Sequence, residues 1–266
     1  MANRIDTALA AARSANRMAL SPYVTVGYPS VEASIDVAAA VIDAGADLLE
    51  LGVPFSDPLA DGPTIQKASH QALRNGVTVG TCLDAVRALR ERGVSAPLIL
   101  MGYYNPFLRY GIERFVRDAG KAGVDGFIVP DLPPEEGEAF RHFCRIGGLY
   151  FIPLLAPTST DERIAQACKG SGGFIYSVSL TGVTGARDRL QTGVGGLVER
   201  IRRHTTLPVL VGFGISRREH VEALSEFADG AIVASALLDA VGRAPSDKVA
   251  EAAHRFVAGL RGDTDQ

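Results

Sequence analysis

The chain has 266 residues, of which 47% are hydrophobic and 21% charged, with a formal net charge of −3. That composition excludes a disordered or fibrous chain, and the slight acidic excess leaves no basic footprint for nucleic acid. No apolar run approaches the roughly 18 residues of a membrane span; three widely spaced cysteines (Cys82, Cys144 and Cys168) exclude a disulfide scaffold and fit a reducing, cytoplasmic compartment.

The first twenty residues, rich in Ala, Arg and Ser, place Ile5, Leu9 and Ala12 at helical spacing and include the acidic Asp6. They read as a short amphipathic helix able to cap the bottom of a barrel rather than as a targeting segment. A strand-like run begins at Ser21, and from there short apolar runs alternate with amphipathic stretches to the end of the chain. The strand runs cover residues 22–27, 47–53, 97–103, 126–131, 149–156, 173–180, 208–215 and 230–237. Each is too short for a helix and nearly continuous in apolar character, as strands buried on both faces are.

Between the strands, residues 31–44 carry Val31, Ile35, Ala38, Ala39 and Ile42 on one helical face, and residues 81–92 carry Leu83, Val86 and Leu89. Further helices are expected to begin near Gly111, Pro134, Thr160, Gly195, Ser216 and Ser246, with Ser30, Thr160 and Ser216 as caps. Strand–helix alternation without a linker or compositional break predicts one domain over residues 1–266, a single (β/α)8 TIM barrel with an N-terminal capping helix. The alternative, an open doubly wound sheet, lacks a G-x-G-x-x-G after the first strand.

Barrel active sites sit at the C-terminal ends of the strands, so polar residues there are the candidates. Glu50 falls inside the second strand run between Leu49 and Leu51. A carboxyl projecting into an apolar barrel is costly to ionise, so its pKa should rise toward the range useful for general acid–base work. A strand carboxylate can also be a structural ion-pair partner, although no arginine lies within the eight strand runs. Asp57 and Asp61 follow in a Pro/Gly-rich loop, where an aspartate can equally be a turn former or a helix cap.

The sixth strand run offers Tyr176 and leads into residues 181–196, with Gly182, Gly185, Gly193, Gly195 and Gly196. That loop reads as a lid closing over substrate or as an ordinary mobile surface loop. Gly212-Phe213-Gly214-Ile215-Ser216 at the seventh strand's end, and Ala234-Ser235 at the eighth's, occupy the usual barrel site for a phosphate. The four lysines and five histidines all fall in helix or helix-end patterns. No strand lysine is therefore available for an imine, and the histidines form no metal-binding set. These residues indicate a cofactor-independent lyase or isomerase acting on a phosphorylated substrate by carboxylate acid–base chemistry, with Tyr176 a further candidate.

The runs ELGVPFSDPLADGPTIQ, LMGYYNPF, GFIVPDLPPEE, LLAPTS, IYSVSLTGVTGAR and GFGIS occur in that order. Together they closely resemble the tryptophan synthase alpha subunit family over essentially the whole chain. The resemblance implies a (β/α)8 barrel that cleaves indole-3-glycerol phosphate to indole and glyceraldehyde 3-phosphate. Glu50 then matches the general acid/base, and Asp61 the aspartate that binds the indole N–H. Tyr176 matches a tyrosine beside the glutamate, and Thr184 the lid threonine that bonds the loop aspartate on closure. The phosphate would rest on amides near Gly185, Gly214 and Ser235, while Tyr23, Met101, Ile128 and Phe213 would wall the indole.

The resemblance also implies a partner, the beta subunit, in an alpha2-beta2 heterotetramer. The pyridoxal phosphate would belong to beta, leaving this chain without a cofactor of its own. Residues matching the beta-facing surface are Pro54, Asp57, Pro58, Asn105, Phe107, Asp131, Pro133 and Pro134. The chain departs from the family pattern in having Ala234 where glycine is usual, near the phosphate amides, and Gly27-Tyr28-Pro29 where many members have Gly-Asp-Pro. Alternative functions are a free-standing indole-3-glycerol-phosphate lyase and a non-catalytic barrel kept as an allosteric partner.

Overall fold

Strand–helix alternation closes into a parallel barrel in the computed structural model, which describes residues 3–178, 190–212 and 214–262. The strand segments are β1 (Ala19–Thr25), β2 (Leu49–Gly52), β3 (Leu98–Met101), β4 (Gly126–Ile128), β5 (Tyr150–Ile152), β6 (Leu154–Leu155), β7 (Ile175–Val178), β8 (Val209–Gly212) and β9 (Gly230–Val233). Their spatial order is β5-β4-β3-β2-β1-β9-β8-β7-β6, with every pairing parallel. β5 and β6 are two pieces of one predicted strand, parted at Pro153, which has no N–H to give to a ladder. The Pro153 carbonyl accepts the Tyr176 N–H at 3.0 Å, so the broken strand still joins β4 on one side to β7 on the other. The expected eight-strand barrel is therefore what forms.

The helices are α1 (Arg4–Ser14), α2 (Val31–Asp43), α3 (Pro63–Arg74), α4 (Val79–Glu91), α5 (Tyr104–Tyr110), α6 (Ile112–Ala122), α7 (Glu138–Ile146), α8 (Asp161–Cys168), α9 (Gly196–Arg202), α10 (Arg218–Leu224), α11 (Ser235–Arg243) and α12 (Val249–Arg261). The period-two alternation of strands sorts their side chains. Leu49, Leu51, Leu98, Leu100 and Phe127 face the helices, while Leu48, Ile99, Ile128, Ile152, Phe174, Leu210 and Ile232 fill the barrel. Ile5, Leu9 and Ala12 of α1 join that interior from below, as predicted for a capping helix. All three cysteines are free and buried.

Three aspartates at the strands' N-terminal ends build the floor in the same way. Asp47 accepts the Leu20 N–H at 2.9 Å, Asp125 the Leu98 N–H at 2.8 Å, and Asp229 the Val209 N–H at 2.8 Å. Each also takes one arginine from α1 or the turn after it: Arg17 to Asp47, Arg4 to Asp125, Arg13 to Asp229. A second arginine comes from the outer helices: Arg261, Arg90 and Arg202, respectively. A carboxylate taken from water needs such a full set of donors.

Some local expectations are corrected. The fully buried face of α2 is Ser34, Val37, Ala38 and Val41; of the predicted stripe Ala38 is fully buried, while Val31, Ile35, Ala39 and Ile42 pack partly buried against the same core. Ser34 fits there because its hydroxyl accepts the Gly27 N–H at 2.9 Å and donates to the Val31 carbonyl at 2.7 Å. Ser216 is not a cap: α10 starts at Arg218 after Arg217, and no side chain caps it. β1 starts at Ala19, before the predicted run, and β9 stops at Val233 so that residues 235–237 open α11. Helices α3, α5 and α11 were not anticipated as separate elements; Pro63 at the first position of α3 gives that helix its start.

Candidate active site

β1 and β2 bring the first pair of polar side chains together, with Tyr23 and Glu50 opposite each other in register. Glu50 is 0% exposed, and Ser21, two residues below Tyr23 on β1, donates from Oγ to its Oε1 at 2.9 Å. Glu50 Oε2 is buried without a hydrogen-bond partner among the described residues. Burial pushes the carboxyl up to about 8, with the Ser21 hydrogen bond pulling the other way. At neutral pH Glu50 therefore holds its proton.

Asp61 lies beyond β2, just before α3, and is half-buried. Burial raises its carboxyl to about 6, and the Tyr103 hydroxyl nearby counters that rise. The Tyr103 oxygen also accepts the Ala60 N–H at 2.9 Å, and its ring lies 5.3 Å from that of Phe55. Tyr103 thus braces the Asp61 loop. The sequence reading missed it, although its place after β3 in the GYYNP run was the available signal. Two carboxyls in one barrel mouth are consequently in opposite states near neutrality, Glu50 protonated and Asp61 largely ionised.

Tyr176 on β7 is buried, and burial with the nearby Glu50 and Asp61 charges holds its phenol well above its usual value. It is therefore a neutral phenol across the neutral range. Burial first, then Asp61, does the same to Tyr23. Both phenols lie across a glycine of the neighbouring strand. A Cβ on Gly52 would come 1.9 Å from the Tyr23 hydroxyl oxygen, and one on Gly212 2.6 Å from that of Tyr176. Ile128, at the C-terminal end of β4, is fully buried in the barrel interior; Met101, opposite it in register on β3, is half-buried and packs against both that interior and the Tyr23 cluster.

Ser235 is exposed at the first position of α11, and Gly214 follows β8 with φ of +39°. The Ala234 methyl packs beside Tyr23, Ala68 and Leu238. Thr184, Gly185 and Phe213 lie outside the described residues.

Of the residues matched to a partner surface, Asp57, Asn105 and Asp131 are exposed and Pro133 is half-buried. Pro54, Pro58, Phe107 and Pro134 are buried, so they shape that surface from beneath instead of forming it. Phe107 is 0% exposed and stacked 4.2 Å from Phe115, inside the apolar core. Two exposed apolar side chains nearby were not anticipated: Leu59 in the β2–α3 loop, 94% exposed, and Leu108 on α5, 54% exposed.

A protonated carboxyl inside a parallel barrel, with an ionised one at its mouth, defines a (β/α)8 enzyme of the acid–base class. The family model for the tryptophan synthase alpha chain matches residues 9–261. A tryptophan synthase alpha chain from Roseiflexus castenholzii is 55% identical over 98% of this chain and 100% of its own length. A tryptophan synthase from Saccharomyces cerevisiae is 43% identical over 98% of this chain but only 37% of its own. The crystal structure of tryptophan synthase subunit alpha from Legionella pneumophila superposes with a TM-score of 0.91 at 36% identity, covering 98% of each chain. The chain belongs to the tryptophan synthase alpha chain family, lyases that cleave indole-3-glycerol phosphate in tryptophan biosynthesis.

Proposed function

We propose that this chain cleaves indole-3-glycerol phosphate to indole and glyceraldehyde 3-phosphate by proton transfers through Glu50, assisted by Asp61. The observation that carries this reading is the Glu50 carboxyl: buried, protonated at neutral pH, with Oε2 unclaimed among the described residues. Glu50 gives its proton to indole C3, which places positive charge on the ring. The ionised Asp61 accepts the indole N–H and stabilises that charge. As the bond from C3 to the glycerol chain breaks, the glycerol hydroxyl becomes an aldehyde and its proton returns to Glu50. One proton leaves the carboxyl and one comes back, so the enzyme ends as it began.

Tyr23, Met101, Ile128 and Phe213 wall the indole, with Tyr176 beside Glu50. Thr184 on the lid bonds the loop aspartate, and amides near Gly185, Gly214 and Ser235 hold the phosphate; a helix N-terminus such as that of α11 suits an anion. The Ala234 methyl is already accommodated against Tyr23, which favours retained phosphate binding.

The working form is an alpha2-beta2 heterotetramer in the cytoplasm, with pyridoxal phosphate carried by beta and no cofactor in this chain. Exposed Leu59 and Leu108 beside Asp57, Asn105 and Pro133 support a docking face there. Among the described residues no helix is long and apolar enough to cross a membrane.

Indole release by the purified chain, with and without a beta subunit and beside Glu50→Gln, tests all of this. Weak release alone, strong activation by beta and loss in the variant are expected. Strong turnover indifferent to beta would make it a free-standing lyase. Turnover no higher than that of Glu50→Gln under both conditions would leave a non-catalytic allosteric barrel.

A further inference from the structure

Ser21 has no role in the proposal above, yet among the described residues it supplies the hydrogen bond to the Glu50 carboxyl, at 2.9 Å. Its neighbours give no packing reason for a hydroxyl. It is 0% exposed and pairs in register with Ile232, inside a barrel floor built from Ala19, Leu48 and Ile232. A buried hydroxyl without a partner is costly, and an apolar side chain of similar size would fill the same space. The bond to Glu50 is what the hydroxyl gains.

We propose that Ser21 is a positioning residue for Glu50, donating to Oε1 in both protonation states and so confining the transferable proton to Oε2. The geometry follows from register. Glu50 is opposite Tyr23, so Ser21 lies two residues nearer the floor and holds Oε1 downward. A serine hydroxyl can donate both to a carboxylate oxygen, where the bond is stronger, and to the carbonyl oxygen of a carboxylic acid. In the acid form the proton therefore sits on the other oxygen, the one without a partner among the described residues. Without Ser21 the proton could reside on either oxygen, and half the orientations would aim it at the floor. The titratable groups facing Glu50 are Tyr23 on β1 and Tyr176 on β7, with Asp61 beyond them on the β2–α3 loop and Tyr103 against Asp61. All three phenols are held above their usual values, so none changes state across the neutral range.

This inference rests on Glu50 acting as proposed, and its test separates the two. Ser21→Thr and Ser21→Val have nearly the same shape and differ in the hydroxyl; Ser21→Ala is the third variant. The kcat/KM profile against pH is measured for each, together with the infrared carbonyl band of the protonated Glu50, identified by its absence in Glu50→Gln. Ser21→Val and Ser21→Ala should lower kcat about tenfold with KM little changed. They should also move the alkaline limb up by about one pH unit and shift the carbonyl band to higher frequency. Ser21→Thr should restore all three. A limb and band unmoved in Ser21→Val would overturn the positioning role even if activity fell. Wild-type chain inactive with beta, but with the band shifting as described, would sink the catalytic reading and leave the Ser21 contact standing.

Discussion

Replacing Glu50 by glutamine keeps the shape of the side chain and removes its ionisation, and its largest measurable effect besides lost activity is on stability. In the unfolded chain this carboxyl titrates near 4.5, whereas in the barrel burial holds it up to about 8. Between those values the native state keeps a proton that the unfolded state has lost. Stability therefore falls as pH rises through the window, by about 1.4 kcal/mol per unit. From about pH 5.5 to about pH 7.5 the wild-type chain loses on the order of 2–3 kcal/mol through this one group, and Glu50→Gln loses none of it. Urea unfolding of both proteins at the two pH values reads the difference directly, since every other titrating group is common to both. The gap should widen by that amount in favour of the variant. A gap that stays constant, with unchanged denaturant slopes, would mean that Glu50 ionises normally in the folded barrel, and the account of it as a poised acid would be wrong.

The same two carboxyls set the shape of the rate profile. Activity needs Asp61 ionised and Glu50 protonated, so kcat/KM should rise through about pH 6, fall through about pH 8, and lose the acid limb in Asp61→Asn. A profile that stays flat from below pH 6 to above pH 8, with neither limb, would refute the assignment of opposite states. Gly52→Ala should displace the Tyr23 ring, because its new Cβ would fall 1.9 Å from the phenol oxygen. The expected cost is about 1–3 kcal/mol in unfolding free energy together with a raised KM, read by denaturant titration and steady-state kinetics.

How much of this was legible beforehand differs from element to element. The barrel was, because eight apolar runs separated by amphipathic stretches leave few other ways to bury both faces of every strand. Glu50 was legible too, since a carboxyl flanked by leucines in a strand must either face the barrel or be expelled. Asp61 was not promoted by local physics, as a loop aspartate before Gly-Pro looks like any turn; resemblance to a family singled it out. Ser21 and Tyr103 went unseen because their importance lies in contacts between strands, and the register that creates those contacts is set only when the barrel closes. Ser34 was left off the α2 face for a related reason: it is polar in composition but satisfied by the Gly27 N–H before the helix and the Val31 carbonyl within it. Phe107 shows the limit of motif reading, for the YNPF run marks a retained segment without saying which of its side chains points inward.

The three floor aspartates also settle where the ends of the chain are tied. Asn3 donates to the Asp125 and Gly148 carbonyls, and Arg261 to the Gly45 and Met18 carbonyls and the Asp47 carboxylate, all on the side where the strands begin. Both anchor points are therefore a full strand length away from the mouth that holds Glu50 and Asp61. Anything attached at Asn3 or Arg261 would sit on the underside of the barrel, away from the entrance. A label or tether attached at these two anchor points therefore starts on the face opposite the reaction it would report on.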